Sequence, residues 1–318
     1  MRLAYYTEKQ VESALGERTA FQLAEQAFRF LAEKKALMPP KIYLRLPGPE
    51  ANDFRAMPAA VLARGHEAAG VKWVCVFPQN PKRGLPTVFG TVLLNSPHTG
   101  RPLALVEAGA LTAIRTAAAS AVATRYLANP SPRRLALIGA GRQAGYQLKA
   151  IGRIARFREI GVWGFRPAEA ESFCRRWRCV FPQLEPCADI RACVQDADVI
   201  VTSTPSRRPL IRKAWVKRGA HINAIGADAK GKQELDPALL FAARVVADQW
   251  EQASHSGEIN VSFWNGSFKR RHLHAELGEI VAGRRKGRTG PREITIFDST
   301  GLAVLDIHFA NHAVRTLR

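Results

Sequence analysis

No apolar run in this 318-residue sequence approaches the length of about 18 residues that a membrane-spanning helix needs. The first seven residues also lack the apolar core of a secretory signal peptide. We therefore expect a cytoplasmic protein that has no membrane partner.

Cysteine is scarce, and its spacing matches no metal site. The five cysteines are odd in number, and four of them fall between Cys174 and Cys193. A redox or metal site there competes with reduced, structural thiols, and the missing ligand spacing favours the thiols. His272, His274 and Glu276 look like metal ligands, but on a helix these spacings would not converge on one ion. We predict no metal site.

Acidic residues are also few, since 27 Asp and Glu face 47 Lys and Arg and leave a net charge of +20. Such an excess attracts polyanions, and the runs KRRHLH (269–274) and GRRKGR (283–288) could touch nucleic acid. The basic residues are scattered along the chain, however, and no nucleic-acid-binding motif accompanies them. An arginine-rich solvated surface is the favoured interpretation, and part of the excess suits an anionic cofactor and a carboxylate substrate.

The first third of the chain mixes helical and strand patterns. Apolar residues at helical spacing predict a helix over residues 17–37, stopped by Pro39-Pro40. An alanine-rich helix is predicted over 112–127, before Asn129-Pro130. Strands are predicted at 41–46, 70–77, 87–94 and 102–107, with the last two paired as an antiparallel hairpin.

Beyond the NPSPRR stretch (129–134), strands and helices alternate, which indicates a parallel, doubly wound sheet. Strands are predicted at 135–139, 160–165, 198–204, 221–226, 244–248 and 293–298. The final helical stretch is expected to pack on the first domain. We therefore predict an α/β protein with a Rossmann domain (131–301) and a discontinuous α+β domain (1–130, completed by about 302–318).

The stretch LALIGAGRQAGYQLKAI (135–151) passes from a strand to a helix through the pattern G-x-G-x-x-A. Gly139 permits the tight turn, Gly141 lets the backbone approach a pyrophosphate, and Ala144 lets the helix pack on the strand. The N-terminus of the helix offers unpaired N–H groups to the phosphates. We predict a dinucleotide site here.

The end of the next strand, VWGFRP (162–167), carries no carboxylate to bind the adenine ribose. Gly164 stands where that acid is usual, and Arg166 follows two residues later. This pattern favours NADP(H) over NAD(H), because a guanidinium suits a 2′-phosphate. Alternatively, Arg166 simply begins a solvated helix.

Four cations in the first domain are candidates for binding an anionic substrate. Lys72 lies in GVKWVCVF, a strand that we expect to be buried on both faces, so its ammonium needs an anionic partner. Arg115 begins a helix of small residues and could bind a carboxylate in bidentate geometry. Lys41 and Arg55 are further candidates. Snorkelling of Lys72 and surface roles for the others are the alternatives, and Glu107 is expected to pair with one of these cations.

Asp228 follows the strand predicted at 221–226, in the glycine-containing loop GADAKGKQELDP. The carboxyl edge of a parallel sheet is where ligands bind, and a carboxylate there can exchange a proton with a substrate nitrogen or a water. A loop cap is the alternative.

These segments together resemble the ornithine cyclodeaminase/μ-crystallin family. The likeness covers nearly the whole chain, through MPPK, FRAMPA, AGVKWV, NPKRGLPTV, LTAIRTAAASAVATRYLA, IGAGRQA, GAHINAIGADAKGKQELD, AELGEIVAG and FDSTGLAV. The resemblance implies a nicotinamide-binding Rossmann domain, a substrate-binding and dimerisation domain, a homodimer, and chemistry that passes through imino acids.

The resemblance also implies roles for individual residues. Lys41, Lys72 and Arg115 would line the substrate site, with Arg115 gripping the carboxylate and Lys72 orienting substrate or holding a water. Asp228 matches the acid/base of the catalytic members. The cofactor would contact Gly139, Gly141, Arg142 and Gln143 at its phosphates, and Thr87, Thr116, Ser203 and Ser299 elsewhere.

Details of the sequence distinguish branches of the family. Asp228 is missing in μ-crystallin-like binders, so its presence here favours an enzyme. Ornithine cyclodeaminases carry a glutamate near the position of Arg55, so cyclodeamination is disfavoured. Several motifs look most like archaeal-type alanine dehydrogenases, although Phe77 replaces their usual histidine and points to a different substrate.

The resulting hypothesis is an NAD(P)(H)-dependent oxidoreductase of amino and imino acids. It would deaminate an L-amino acid or reductively aminate a 2-oxo acid with ammonia or a primary amine. The alternatives are a cyclodeaminase that recycles its nicotinamide internally, a non-catalytic NADP-dependent binder, and a nucleic-acid-binding protein.

Overall fold

A computed structural model describes residues 3–48 and 52–318. Its strands are β1 (Ala4–Tyr6), β2 (Ala36–Leu37), β3 (Ile42–Arg45), β4 (Asp53–Val61), β5 (Ala68–Val76), β6 (Val88–Asn95), β7 (Pro102–Glu107), β8 (Arg134–Ile138), β9 (Glu159–Trp163), β10 (Leu184–Pro186), β11 (Val199–Thr202), β12 (His221–Ala224), β13 (Arg244–Ala247), β14 (Leu273–Glu276) and β15 (Thr295–Asp298). Its helices are α1 (Glu8–Ala14), α2 (Glu17–Ala32), α3 (Gly109–Leu127), α4 (Arg142–Gly152), α5 (Pro167–Trp177), α6 (Ile190–Val194), α7 (Pro237–Ala242), α8 (Trp250–Ser256), α9 (Asn260–Trp264), α10 (Leu277–Val281) and α11 (Ala303–Leu317).

The chain forms two compact units. The first comprises Met1–Arg115 and Leu302–Arg318, and the second comprises Thr116–Gly301. The division falls inside α3, which continues unbroken through Arg115 and Thr116, whereas the boundary predicted from the sequence is the NPSPRR stretch (129–134). None of the helices in the described ranges is both long and apolar enough to cross a membrane.

The first unit is built on a mixed sheet with the order β1-β7-β6-β5-β4-β2, in which β3 also pairs with β4. The predicted hairpin of β6 and β7 is confirmed. Helix α11 packs on β4 and β5 and buries most of its residues from Ala303 to Val314. The expectation that the strand of Lys72 is buried on both faces is wrong, because neighbouring Trp73 is 41% exposed on the other face.

Two predictions in this unit differ from the structure. Helix α2 ends at Ala32 instead of residue 37, because Lys34 takes a left-handed φ of 59° and the chain then enters β2. Strand β4 was not predicted, since Pro58 interrupts its pattern. On one side β4 pairs with β3 up to Ala56 and with β2 from Ala60, so Pro58 lies where neither strand pairs.

The second unit contains an eight-stranded parallel sheet with the order β10-β9-β8-β11-β12-β15-β13-β14. The first five strands have the Rossmann order 3-2-1-4-5, which confirms the predicted α/β class. The last strand, β15, inserts between β12 and β13. The interpretation of His274 and Glu276 as helical is wrong, because both lie on β14, which pairs with the buried strand β13.

Candidate functional site

Lys72 finds its anionic partner on the C-terminal helix. Its side chain points to the buried face of β5 and is 1% exposed, and its Nζ lies 2.8 Å from Oδ2 of Asp306. Thr112 Oγ1 on α3 is 3.5 Å from the same nitrogen. No local pattern in the sequence marks Asp306 as a site residue, and only the packing of α11 on β5 brings it here. Lys72 is therefore buried and paired with a carboxylate, and the alternative that its side chain snorkels to the surface is wrong.

Burial lowers the pKa of Lys72 to about 7, and the charges of Arg115 and Lys41 add to this lowering. The Asp306 carboxylate opposes it. The folded protein therefore holds at this position a nitrogen that exchanges its proton near neutral pH.

Arg115 shares the same carboxylate. It lies on α3 with little exposure, and its Nε donates to Oδ1 of Asp306 at 2.9 Å. Within the part of the chain that the structure describes, its two terminal nitrogens have no hydrogen-bond or ion-pair partner. Asp306 therefore fixes the orientation of the guanidinium and leaves its terminal edge available to a carboxylate.

Arg55 lies on the face of the sheet that carries Lys72, because Met57, two residues further along β4, pairs with Lys72. Arg55 is 6% exposed. It forms a bidentate pair with Asp53, with Nε–Oδ1 at 2.7 Å and Nη2–Oδ2 at 3.0 Å, and its guanidinium lies 5.3 Å from the Tyr43 ring centre. Lys41 precedes β3 and acts electrostatically on Lys72. Lys72 and Arg115 thus share the carboxylate of Asp306, and Arg55 pairs with that of Asp53.

Glu107 takes no part in this cluster, contrary to our expectation. Its carboxylate accepts hydrogen bonds from the Tyr5 hydroxyl and the Glu8 backbone N–H. The predicted pairing with a cation is therefore wrong, because the end of β7 lies beside β1 and the start of α1.

In the second unit, β8 passes into α4 through the predicted glycine turn. Gly139 has a φ of 111°, and a Cβ there would lie 2.8 Å from the carbonyl oxygen of Ser203. Gly141 is the N-cap of α4 with no side-chain cap, and a Cβ there would meet nothing within 4 Å. Open space before uncapped N–H groups is what a pyrophosphate requires, so this turn fits a dinucleotide.

The part of this sheet edge where the adenine ribose is predicted to bind is formed by β9 and α5. A Cβ at Gly164 would lie 3.0 Å from Cβ of Glu169, so the chain is tightly folded here. Arg166 is the N-cap residue of α5, its side chain is 76% exposed, and its Nε donates to Glu169 Oε1 at 2.8 Å. The guanidinium is accessible to solvent, yet it already has an anionic neighbour that the sequence analysis did not weigh.

Asp228 lies in the loop after β12, with 36% of its side chain exposed. Lys232 donates to its Oδ1 at 2.5 Å. The acid and the cation thus form an ion pair within the same loop.

The other predicted cofactor residues lie on elements of both units. Arg142 and Gln143 lie in the first turn of α4, and Ser203 and Ser299 directly follow β11 and β15 at the carboxyl edge. Thr116 is buried in α3. Thr87 belongs to the first unit, where its carbonyl accepts from the Phe77 N–H at 2.8 Å. The structure therefore gathers Gly139, Gly141, Arg142, Gln143, Ser203, Asp228 and Ser299 at one sheet edge.

Buried acids behind this edge were missed by the sequence analysis. Burial raises the pKa of Asp298 to about 8, and that of Glu258 lies well above its usual value for the same reason. Glu234 is buried in the same region. Glu234 stands in the motif GADAKGKQELD and Asp298 in FDSTGLAV, but nothing local in the sequence indicates their burial. Among residues 3–48 and 52–318, no three His, Cys, Asp or Glu side chains are grouped so as to hold a metal ion.

Comparison with known proteins places the whole chain in one family. A model of the ornithine cyclodeaminase/mu-crystallin family matches residues 3–316. The chain is 44% identical over 313 residues to the alanine dehydrogenase of Archaeoglobus fulgidus, a match that covers 98% of this chain and 94% of that protein.

Two solved structures share the fold over nearly the full length. An archaeal alanine dehydrogenase dimer with bound NAD has a TM-score of 0.93 and 42% identity, covering 99% of this chain and 96% of that one. Delta(1)-pyrroline-2-carboxylate reductase from Thermococcus litoralis, in complex with NADH and L-proline, has a TM-score of 0.94 and 33% identity, covering 98% and 97%. The resemblance inferred from the motifs is thus confirmed, and this chain belongs to the ornithine cyclodeaminase/mu-crystallin family.

Proposed function

We propose that this protein is an NAD(P)(H)-dependent oxidoreductase of amino and imino acids, similar in activity to alanine dehydrogenase. The observation that carries the proposal is the buried guanidinium of Arg115, which Asp306 holds at Nε while its terminal nitrogens stay available. Relatives that act on alanine and pyrroline-2-carboxylate, both 2-amino or 2-imino carboxylates, support the substrate class.

The second unit provides the cofactor site in this proposal. Gly139, Gly141, Arg142 and Gln143 would bind the phosphates, while Ser203, Ser299, Thr87 and Thr116 would contact the rest of the dinucleotide. When bound, the nicotinamide supplies hydride acceptance or donation at the substrate Cα.

The protein's own side chains bind the substrate and move protons. The terminal nitrogens of Arg115 bind the carboxylate, assisted by the positive charge of Lys41 and Arg55. Lys72 exchanges a proton near neutral pH. Asp228 takes a proton from the water that adds to the imine, and in the aminating direction it returns that proton to the hydroxyl group that leaves as water.

The nitrogen donor is ammonia or a primary amine in this proposal. Reduced nicotinamide absorbance should be followed with a panel of 2-oxo acids, each combined with ammonium or methylamine. We expect oxidation that requires both the oxo acid and the amine. If no pair is active and ornithine instead releases ammonia without net nicotinamide turnover, the protein is a cyclodeaminase.

We further propose that NADP(H) is preferred over NAD(H), because no carboxylate ends β9 and Arg166 is exposed beside this site. NAD(H) is the alternative, since two solved relatives hold it. Arg166→Ser should weaken NADPH binding by about tenfold and leave NADH binding unchanged, because an exposed guanidinium is partly screened. Arg175→Ser, on the same helix, is the control. Tighter binding of NADH by the unaltered protein would contradict the preference.

The pH dependence of kcat/KM should contain a step near pH 7 from Lys72, because burial lowers its pKa to about 7. In the deaminating direction the neutral amine accepts the proton, so kcat/KM rises through this pH. Lys72→Arg should remove the step, since arginine stays protonated throughout, whereas Lys35→Met, at an exposed position, should retain it. A step that persists in Lys72→Arg would assign it to another group.

The same shift makes stability depend on pH. In the unfolded chain a lysine keeps its proton up to about pH 10.4. Between these two pKa values the folded state binds fewer protons than the unfolded state, so this group makes the free energy of unfolding rise with pH.

We also propose a homodimer that forms through the first unit. The face of its sheet opposite Lys72 is apolar and exposed, with Ile42 at 65%, Leu44 at 53%, Trp73 at 41% and Phe89 at 45%. An apolar face of this kind is typical of subunit interfaces. Trp73→Glu should convert the dimer to a monomer in sedimentation velocity, while Val180→Glu, an exposed apolar position in the second unit, should not. A monomeric unaltered protein would contradict the proposal.

A further inference from the structure

One buried carboxylate at the carboxyl edge of the second sheet has no role in the reaction as proposed above. Glu234 is fully buried and forms no ion pair within the described ranges. Its Oε1 accepts from Thr204 N at 2.7 Å and Thr204 Oγ1 at 2.6 Å, and its Oε2 accepts from Thr202 Oγ1 at 2.6 Å and Gly226 N at 2.8 Å. A carboxylate offers about four acceptor sites, so this one is fully used.

The donors belong to two different loops. Thr202 and Thr204 flank Ser203 at the end of β11, and Gly226 lies between the end of β12 and Asp228. The Glu234 side chain therefore joins the loop of Ser203, a predicted cofactor residue, to the loop of Asp228, the predicted acid/base. The carbonyl of Ser203 also lies against Gly139, so the glycine turn rests on the same loop.

The two loops approach each other so closely that only glycine fits at position 226. A Cβ on Gly226 would lie 2.2 Å from the Thr204 carbonyl oxygen and 2.5 Å from the carboxyl carbon of Glu234. The backbones of the two loops are thus in direct contact, and the Glu234 carboxylate accepts hydrogen bonds from both loops.

The far end of the Asp228 loop is fixed as well. Glu258 accepts from the backbone N–H of Glu234 at 2.9 Å and of Leu235 at 2.7 Å. Asn260 accepts from Gly231 N at 2.8 Å and donates to the carbonyl of Lys232 at 2.7 Å. A buried network in which every polar group has a hydrogen-bond partner holds the chain in a single conformation. Asp228 and its partner Lys232 lie inside the segment that is held in this way.

We propose that Glu234 is a positioning residue for the reaction. It fixes the Asp228 loop against the Ser203 loop and the Gly139 turn, and it acts through Asp228 without touching substrate. This inference rests on the proposed function, because it assigns Glu234 to the geometry of a proton transfer.

The test is Glu234→Gln in two backgrounds. The amide has one oxygen, so the N–H of Thr204 or of Gly226 faces an NH₂ group, and a buried donor left unsatisfied costs the equivalent of about 10- to 100-fold in an equilibrium. We expect kcat to fall by about this factor, with KM for the carboxylate substrate changed by less than about twofold. In the Asp228→Asn background, Glu234→Gln should lower kcat by less than a further factor of about two. The reason is that the side chain it positions no longer transfers a proton.

Glu293→Gln is the matched control. Like Glu234, Glu293 accepts from a backbone N–H, that of Thr289 at 2.7 Å, but its other partner is the Arg244 Nη2 at 2.6 Å, and it precedes β15 at the opposite edge of the sheet. Glu293→Gln should lower the melting temperature, while kcat stays within about twofold of that of the unaltered protein. If Glu234→Gln does not fold, Thr204→Val, which removes one hydroxyl donor, should lower kcat, and Thr204→Ser should restore it.

An unchanged kcat in Glu234→Gln, or a loss of equal size in both backgrounds, would overturn the positioning role. These outcomes presuppose an active unaltered protein. Inactivity of the unaltered protein with every amino and oxo acid would instead count against the proposed function, so the two failures are distinguishable. Hydrogen exchange over residues 226–234 should also rise in Glu234→Gln and not in Glu293→Gln, and equal exchange in both would count against the proposal.

Discussion

Replacing Asp228 with asparagine should lower kcat by about 10²- to 10⁴-fold, the range by which a positioned acid or base contributes. Asparagine keeps the size of the side chain but cannot accept a proton at neutral pH. Because Asp228 lies in the loop after β12 and not in the glycine turn, the Kd of the cofactor should stay nearly the same. Steady-state kinetics and fluorescence titration with reduced nicotinamide measure the two quantities.

Asp236→Asn is the control for this substitution. Asp236 caps α7 by accepting from the Ala238 N–H, and asparagine caps a helix about equally well, so kcat should be unaffected. An Asp228→Asn protein with full kcat would remove Asp228 from the chemistry and favour a non-catalytic binder.

Replacing Asp306 with asparagine should lower the free energy of unfolding by about 3–5 kcal/mol, the usual cost of removing one partner of a buried ion pair. The carboxylate is fully buried between Lys72 Nζ and Arg115 Nε, so its loss leaves two cations without their anion. Urea unfolding at pH 6, below the pKa of about 7 at which Lys72 loses its proton, measures the change. The KM of the carboxylate substrate should rise as well, because Arg115 loses the contact that orients it.

The exposed acid Glu159, with 69% of its side chain accessible, provides the comparison for stability. Glu159→Gln should change the free energy of unfolding by less than about 0.5 kcal/mol. If Asp306→Asn were equally harmless, the two buried cations would have to be neutral or otherwise compensated, and Asp306 would not be their anchor.

The second unit was largely predictable because its signals are local. Alternating apolar strands and helices, and glycines at the β8–α4 turn, indicate a parallel sheet and a dinucleotide site within a few residues of sequence. The edge strands β10 and β14 were missed, because polar residues interrupt LEP and LHAE and leave no apolar run that marks a strand.

The first unit was harder because its features depend on distant residues. Strand β4 tolerates Pro58 only because β2 and β3 leave a gap beside it. Lys72 on β5 could be recognised as a cation that needs a partner, yet the partner lies on α11, far along the chain. The burial of Glu234 is of the same kind, since its four hydrogen bonds come from two loops that the fold brings together.

The most direct test of the central claim follows the hydrogen on the substrate Cα. Alanine deuterated at Cα, or the best amino acid found in the assay, is incubated with oxidised nicotinamide, and the reduced cofactor is analysed by mass spectrometry. A dehydrogenase should deliver the deuterium to the nicotinamide and release ammonia and the 2-oxo acid in equal amounts. Ammonia release with no deuterated, reduced nicotinamide would contradict this account and identify a reaction that recycles its cofactor internally.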